Sequence, residues 1–260
     1  MDNGGHHTKM RQMSLKSHDR PANLLLSSLS EEDWLLVSRH LFRAEMKAGD
    51  ILQKAGDEVV QTWFPCGAAS ASFQISTDDG RNAIDVATIG REGAIGGIVS
   101  NGKVPAYASA GVRNCGVFLS IRTAHLENVK TQSVSLRHWF ARYSDYLVAQ
   151  LFQNSACNAT HTIRQRAARW LLDTAHRTGT DEVELTHEQL AAMLGVGRTF
   201  VTRTVKELRE SGLVLTRRGS FVLPNPMALR AVSCDCSDHI AVHFNTVMSG
   251  IYPALHPPST

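Results

Sequence analysis

The chain has 260 residues and a formal net charge of +3. This length favours two domains over one, and a charge so close to zero does not by itself identify a partner. No apolar run is long enough to cross a bilayer, and residues 1–20 lack the apolar core of a signal peptide. The five cysteines are scattered, which fits a reducing compartment better than a disulfide framework. We therefore predict a cytoplasmic protein with no membrane partner, whose residues 1–20 form a flexible arm.

The region after this arm combines a helical segment with an all-β pattern. Residues 21–45 are predicted to be helical, because Ser30 can cap a helix whose first turn carries three acidic residues. From residue 46 to 122, short apolar runs alternate with turn signals such as AGDE and GREG about every ten residues. This spacing is typical of a small sandwich or barrel of short strands.

Residues 123–158 contain no glycine or proline and are predicted to form one long helix. One small or apolar stripe repeats every seven residues, at Val134, Ala141, Val148 and Ser155. A second stripe consists of Leu136, Phe140, Tyr143, Leu147 and Leu151. A helix with two apolar faces needs two partners, here its own β-domain and a second copy of the chain. The residues assigned to dimerisation are Val134, Ala141, Val148 and Leu151. The alternative is a helix buried within one domain, because periodicity alone does not separate the two.

The segment LTHEQLAAMLGVGRTFVTRTVKELRESGLV, residues 185–214, has the pattern of two short helices joined by a glycine turn. It follows a predicted helix over residues 160–177. Thr186 and Gln189 form a capping box, and Gly195 permits the left-handed backbone of a sharp turn. Gly197 can cap the next helix, predicted to run to Ser211, whose buried stripe is Val201, Val205 and Leu208. This layout predicts a helix-turn-helix.

The other face of the second helix is polar and basic. Its outward residues are Arg198, Thr199, Thr202, Arg203 and Lys206. Arginine can donate two hydrogen bonds to guanine in the major groove, whereas lysine more often meets phosphate. Two short β runs follow, and Arg217 and Arg218 lie in the turn of this predicted wing. Residues 196–222 include six basic and two acidic residues, which gives this segment a net charge of +4. Surface charge on a solvated helix is the alternative, but the combined features favour DNA binding.

The order of these parts resembles the Crp/Fnr superfamily of bacterial transcription regulators. The resemblance implies an α+β fold with an N-terminal β-roll of jelly-roll type, a long dimerisation helix and a C-terminal winged helix-turn-helix. The corresponding ranges are 21–122, 123–158 and 159–225, followed by a tail over 226–260. It also implies a homodimer that binds a palindromic DNA operator, with RNA polymerase as a further partner and no enzymatic activity. Motifs such as GxSxG and HExxH, typical of enzymes, are absent from the sequence.

The most specific part of the resemblance is the run Gly197–Arg203. The family commonly has a glycine followed by Ser-Arg-Glu-Thr-Val-x-Arg. Arg198 and Arg203 are retained and inherit the base-reading role. Thr199 replaces the glutamate, which can accept a hydrogen bond from cytosine, so a different operator preference is expected.

The sensor region departs from the cyclic-nucleotide-binding members. Gly96-Gly97 stands where a Gly-Glu pair would bind the ribose, and no arginine lies between Arg91 and Arg113 to meet the phosphate. A buried cyclic phosphate would lack its counter-charge, so we do not expect cyclic AMP or GMP in the usual mode. Iron–sulfur is not expected either, because residues 1–65 contain no cysteine. The sequence does not identify the effector.

Two alternatives to an effector-controlled regulator remain. The first is a constitutive regulator with a degenerate sensor. The second is a metal- or redox-responsive regulator that uses Cys234 and Cys236 of the tail. The possible zinc ligands there are Cys234, Cys236, His239 and His243. Their spacing matches no established zinc module, so no metal site is predicted.

Overall fold

The computed structural model describes residues 11–12, 20–77, 82–99 and 102–252. The chain divides into two compact units. The first contains Met1–Ser72, Ile89–Arg142 and Ser249–Thr260, and the second contains Phe73–Thr88 and Tyr143–Met248. The fold is α+β, as predicted, with antiparallel sheets followed by helices.

The first unit begins with a strand and two short helices. Strand β1, Arg11–Gln12, pairs with a later strand, so this part of the predicted arm is ordered; most of the arm lies outside the described residues. Helix α1 spans Leu24–Ser27 and helix α2 spans Glu31–Ser38, with Ser30 as the N-cap of α2.

The prediction of helix up to residue 45 is wrong, because strand β2 begins at Phe42 and runs to Met46. Ala44 and Met46 are buried while Arg43 and Glu45 are exposed. This alternation has the two-residue period of a strand.

The predicted all-β region forms two sheets. Their further strands are β3 (Ile51–Gln53), β4 (Gln61–Pro65), β5 (Ser70–Thr77), β6 (Asn82–Ile89), β7 (Ser109–Asn114) and β8 (Gly116–Arg122). The strand orders are β1-β2-β8-β4 and β3-β7-β5-β6. The core of the first unit includes the fully buried side chains of Trp34, Phe64 and Phe118. These sheets confirm the predicted β-roll class.

The prediction of a single long helix over 123–158 is wrong, because the first third forms a separate helix. The structure has α3, Thr123–Gln132, and α4, Val134–Thr160, separated at Ser133. Ser133 has an extended backbone, and its Oγ accepts a hydrogen bond of 3.0 Å from the amide of Leu136. Serine therefore ends one helix and caps the next, which is the role its side chain favours over a helix interior.

Helix α4 has one buried and one exposed face, and the second predicted stripe is buried at Leu136, Phe140 and Tyr143 but exposed at Leu151. In the first unit, Trp139 donates from Nε1 to the carbonyl of Leu25 at 3.0 Å, and Phe140 packs on Phe64 with ring centroids 6.2 Å apart. All the residues assigned to dimerisation are exposed: Val134, Ala141, Val148 and Leu151. No helix of the described ranges has both the length and the apolar character needed to span a membrane.

The second unit contains the β5–β6 hairpin, the rest of α4 and a helical domain with a small sheet. Its further helices are α5 (Ile163–Thr178), α6 (His187–Leu194), α7 (Arg198–Glu210), α8 (Pro226–Arg230) and α9 (Cys236–Val247). Strands β9 (Glu182–Glu184), β10 (Leu215–Arg217) and β11 (Ser220–Val222) pair in the order β10-β11-β9. The hairpin joins this unit because Gln150 and Asn154 of α4 donate to the carbonyls of Thr88 and Val86. The unit limits therefore differ from the predicted domain limits at residues 122 and 158.

Candidate nucleic-acid interface

The helix-turn-helix forms as the sequence predicted. Thr186 and Gln189 exchange both hydrogen bonds of a capping box at the start of α6. Gly195 ends α6 with φ 63° and ψ 37°, in the left-handed region. A Cβ at this position would lie 3.6 Å from Ile84, an ordinary contact, so the backbone conformation is what requires glycine. Gly197 then caps α7.

Helix α7 buries one side in the core of the domain. Val201 and Leu208 are fully buried, and Val205 is nearly so. Ala191 of α6 is also buried, and its small side chain lets the two helices approach. This packing fixes α7 in rotation, so the opposite side must face solvent.

That opposite side is the surface predicted to meet DNA. Five exposed residues line one shallow, open groove: Arg198, Thr199, Thr202, Arg203 and Lys206. They are all the α7 residues assigned to DNA binding from the sequence, so the structure brings the predicted set together. We call this set the α7 groove.

The cations of the α7 groove are held by weak ion pairs. Arg198 lies 3.4 Å from Glu188, Arg203 lies 3.6 Å from Glu207, and Lys206 lies 3.8 Å from Glu210. The three basic side chains are 63–76% exposed. Exposed pairs of this kind contribute about 0–1 kcal/mol each, so a phosphate or base edge can replace the carboxylate at little cost.

Thr202 is more constrained than its neighbours. Its hydroxyl donates to the carbonyl of Arg198 at 3.0 Å and lies 3.3 Å from Nδ1 of His187. The His187 ring stacks on Phe221 of the wing at 5.5 Å. Burial, together with the nearby Arg198 charge, lowers the pKa of His187 below its usual value, which favours the neutral ring. The hydroxyl of Thr202 is therefore already used inside the protein, and its methyl group is the part left for a base.

The wing is a three-stranded sheet rather than the simple hairpin expected, because β9 pairs with β11. Arg217 lies 2.8 Å from Glu182 of β9, and Ser220 donates to the same carboxylate at 2.7 Å. Arg218 is exposed in the turn between β10 and β11. Arg217 is thus anchored to the wing itself, which leaves Arg218 as the better placed of the two for a phosphate.

The two glycines of the sensor region lie in close contact with neighbouring protein atoms. Gly96 and Gly97 have φ +85° and +45°. A Cβ on Gly96 would lie 2.5 Å from the carbonyl oxygen of Gln61, and one on Gly97 would lie 2.5 Å from Cγ2 of Thr123. Both distances are far inside van der Waals contact, so neither position accepts a side chain without a shift of its surroundings.

The four candidate metal ligands of the tail do not come together. His239 is exposed and lies 3.5 Å from Asp235, and His243 is also exposed. Cys234 and Cys236 are buried, and the groups that join them are Cys157 and His161 at the end of α4. Sequence reasoning missed these two, because the predicted helix ended at residue 158 and separated Cys157 from His161.

The buried thiols are poor nucleophiles. Burial raises the pKa of the Cys157 thiol to about 12, and it also raises the pKa of Cys234. Redox-sensor cysteines are usually exposed and have a lowered pKa. Neither residue has that character.

The comparisons with known proteins agree with this architecture. Residues 165–232 match the family of Crp-like helix-turn-helix domains. The structure of FixK2 from Bradyrhizobium japonicum is similar with a TM-score of 0.63 and 14% identity, covering 74% of this chain and 96% of that chain. A CRP-family transcriptional regulator from Thermus thermophilus has a TM-score of 0.62 and 18% identity, covering 73% of this chain and 95% of that chain. A putative Crp/Fnr-family regulator from Eubacterium rectale has a TM-score of 0.58 and 20% identity, covering 80% and 96%.

None of the curated protein sequences compared with this chain matches it. At identities of 14–20%, the solved structures establish the fold, while the match over 165–232 establishes the type of the second unit's domain. The predicted fold and the predicted helix-turn-helix domain are thereby confirmed. The chain carries a Crp-like helix-turn-helix domain on the fold of the Crp/Fnr transcription regulators.

Proposed function

We propose that this protein is a sequence-specific DNA-binding transcription regulator that acts as a homodimer, without cyclic nucleotide in the usual mode. The observation that carries the proposal is the α7 groove. Its cations are exposed, weakly paired and presented by a helix whose rotation is fixed by packing. A groove of this kind suits the negatively charged and hydrogen-bonding edges of duplex DNA.

The residues of the α7 groove divide into two roles. Arg198 and Arg203 lie in the N-terminal half of α7, the part of a recognition helix that enters the major groove, and read guanine by paired hydrogen bonds. Lys206 lies further along and meets phosphate, as do Arg218 and, less directly, Arg217 of the wing. Thr199 and Thr202 make shorter contacts, with thymine methyl groups as one partner.

The homodimer is proposed on the exposed face of α4. Val148 is 46% exposed, Leu151 is 43% exposed and Phe152 is 71% exposed. Phe152 was not among the predicted dimerisation residues, but it lies one helical turn after Val148 on the same face. A second copy of α4 would cover this apolar stripe and place two recognition helices on one palindromic operator. RNA polymerase is the further partner expected of such a regulator.

The lack of cyclic-nucleotide binding is proposed from Gly97. A glutamate for the ribose would need the space that Thr123 occupies. The same observation supports a constitutive regulator as a second candidate, because packing against Thr123 holds this backbone in place without a ligand. The two candidates differ in whether DNA affinity responds to any small molecule.

The test is selection of bound sequences from a random pool of duplex DNA with the purified full chain, near physiological salt. A palindromic consensus is expected, with affinity that falls steeply as salt rises. The variant with Arg198→Ala and Arg203→Ala should lose the enrichment. Arg209→Ala is the matched control, because Arg209 is exposed on α7 outside the α7 groove and should keep it. A variant that enriches the same sequences as the wild type would reject the α7 groove as the reading surface.

A further inference from the structure

Four potential metal ligands meet in the second unit, away from the α7 groove. They are Cys157, His161, Cys234 and Cys236, and their ligand atoms all lie within 4.8 Å of one another. The three cysteines are buried and form their own cluster, and His161 is half-buried. We call these four residues the thiol–imidazole cluster.

Two segments distant in sequence build the cluster. Cys157 lies in the last turn of α4, and His161 follows four residues later, with its amide hydrogen-bonded to the carbonyl of Cys157 at 3.0 Å. Cys234 and Cys236 lie just before and at the first residue of α9. Helical spacing on one side and a Cys-x-Cys turn on the other therefore aim four donor atoms at one point.

Two distances inside the cluster equal those between ligand atoms of one tetrahedral ion. Sγ of Cys157 lies 3.7 Å from Sγ of Cys234, and Sγ of Cys236 lies 3.5 Å from Nδ1 of His161. Zinc bonds of about 2.3 Å to sulfur and 2.0 Å to nitrogen, at tetrahedral angles, separate two sulfurs by about 3.8 Å and a sulfur from a nitrogen by about 3.5 Å. A disulfide is not formed at these positions, since its sulfurs bond at about 2.05 Å.

The charges around the cluster also favour a bound metal ion. Arg166 and Arg169 of α5 are only 6% and 2% exposed, and their charges act on Cys157 or Cys234. Within the described ranges, neither guanidinium pairs with a carboxylate: Arg169 donates to the amide oxygen of Asn154 and Arg166 to the carbonyl of Leu194. Buried cations without a counter-charge are costly. A dication held by three thiolates and one imidazole has a net charge of −1 and supplies that counter-charge.

A polar neighbour also supports a thiolate at Cys236. Nε2 of Gln153, one turn before Cys157 on α4, donates to Sγ of Cys236 at 3.2 Å. Amide donors to ligand sulfur orient the ligand and stabilise its charged form. The start of α9 is further held to α5 by a hydrogen bond of 2.7 Å from Ser237 to Asp173.

We propose that Cys157, His161, Cys234 and Cys236 bind one zinc ion in a closed tetrahedral site. Binding replaces the protons of three thiols, which are released to solvent as the zinc–sulfur bonds form, and Nδ1 of His161 supplies the fourth ligand. The protein fills all four positions, which is the arrangement of structural rather than catalytic zinc. The ion fastens the end of α4 to the start of α9 inside the second unit.

The first experiment measures metal content and does not depend on DNA binding. The full chain is purified from zinc-supplemented cells, and zinc per chain is counted by mass spectrometry of the metal. One zinc per chain is expected. Cys157→Ser, Cys234→Ser and His161→Ala should each lose most of it. Cys66→Ser, Cys115→Ser and His239→Ala change the same residue types outside the cluster and should retain one zinc.

A second measurement uses the wild type alone, so that a misfolded variant does not decide the outcome. The metal is removed with a chelator and Co²⁺ is added. Tetrahedral visible bands with thiolate-to-cobalt charge transfer are expected at one equivalent, and added Zn²⁺ should abolish them. Metal removal should lower the midpoint of thermal unfolding by more than about 5 °C. A metal-free chain with free thiols after zinc-supplemented growth, or cobalt spectra without thiolate bands, would overturn the site.

Discussion

Two regions at which the resemblance implies a ligand differ in what surrounds them. In the α7 groove, the basic side chains are exposed and paired with exposed carboxylates at 3.4–3.8 Å. At Gly96-Gly97, the space for a Cβ is occupied by the carbonyl of Gln61 and the side chain of Thr123. The α7 groove keeps its polar groups available to a partner, whereas Gly96 and Gly97 have no room for the side chain that would bind one.

The difference shows that a shared fold does not carry over each of its sites. Exchanging an exposed ion pair for a phosphate contact costs little, because solvent already screens the pair. Opening the space at Gly97 requires Thr123 to move out of a packed position, and packed interiors resist such changes. A site is therefore inferred from its own residues, one region at a time.

The largest effect is expected from breaking the proposed dimer, because the α7 groove then acts alone. Val148→Glu combined with Phe152→Glu should make the chain monomeric, since the exposed stripe of α4 would carry two buried charges in a dimer. Affinity for a palindromic site should fall by about 10³-fold, towards non-specific binding. Sedimentation velocity and DNA titration of the same samples measure the two changes.

The matched control for that variant is Met227→Glu combined with Val242→Glu. These apolar residues of α8 and α9 are 78% and 66% exposed, so the added charge is the same and the location differs. The control should remain dimeric and bind as the wild type does. If the α4 variant remained dimeric, α4 would not form the dimer interface. The proposed placement of two recognition helices on one palindromic operator would then lose its basis.

The next effect concerns the closed sensor position. Gly97→Ala and Gly102→Ala both place a side chain at a positive φ, but only Gly97 has an atom within 4 Å of the added Cβ, Thr123 at 2.5 Å. Gly97→Ala should therefore reduce the free energy of unfolding by about 1–3 kcal/mol more than Gly102→Ala, through overpacking. Denaturant unfolding of both variants measures this difference. Equal losses would mean that the position is open after all.

The parts of the fold that depend on neighbouring residues were predictable from the sequence. The capping box at Thr186, the turn at Gly195 and the limits of α7 each rest on contacts within a few positions. The stripe periodicity also identified buried residues of α4, namely Leu136, Phe140 and Tyr143, although Leu151 of the same stripe is exposed. These signals are local, so the sequence contains the whole argument for them.

The parts that depend on distant residues were not predictable. The two halves of the thiol–imidazole cluster lie 77 residues apart, and nothing local at Cys157 indicates Cys234. The sequence showed that Gly97 lacks the expected glutamate, but only packing shows that Thr123 fills the space. Ser133 separates two helices within a segment that contains no glycine or proline. Its side chain competes for a backbone amide, and composition alone does not indicate this.

A smaller effect, confined to one base pair, is expected from Arg203→Ala. Loss of two hydrogen bonds to guanine should cost about 1–3 kcal/mol at the contacted position and make its base preference nearly flat. Arg203→Lys is the control, because it retains the charge without the paired donors; overall affinity should largely recover while specificity at that position does not. Binding to a set of single-base operator variants measures both. An unchanged preference at every position would exclude Arg203 as a base reader.

The smallest effect, none at all, is expected when cyclic AMP is added to the wild type. The usual mode needs a carboxylate for the ribose and a cation for the phosphate, and this chain has Gly97 and no arginine between Arg91 and Arg113. A ligand shifts an equilibrium only by its differential affinity for the two states, so a nucleotide that does not bind leaves DNA affinity unaltered. DNA titrations with and without the nucleotide, and calorimetry of the nucleotide alone, measure this. A saturable rise in DNA affinity would show that the sensor region does bind the nucleotide. The two regions would then differ in the kind of ligand that they bind, and not in whether they bind one.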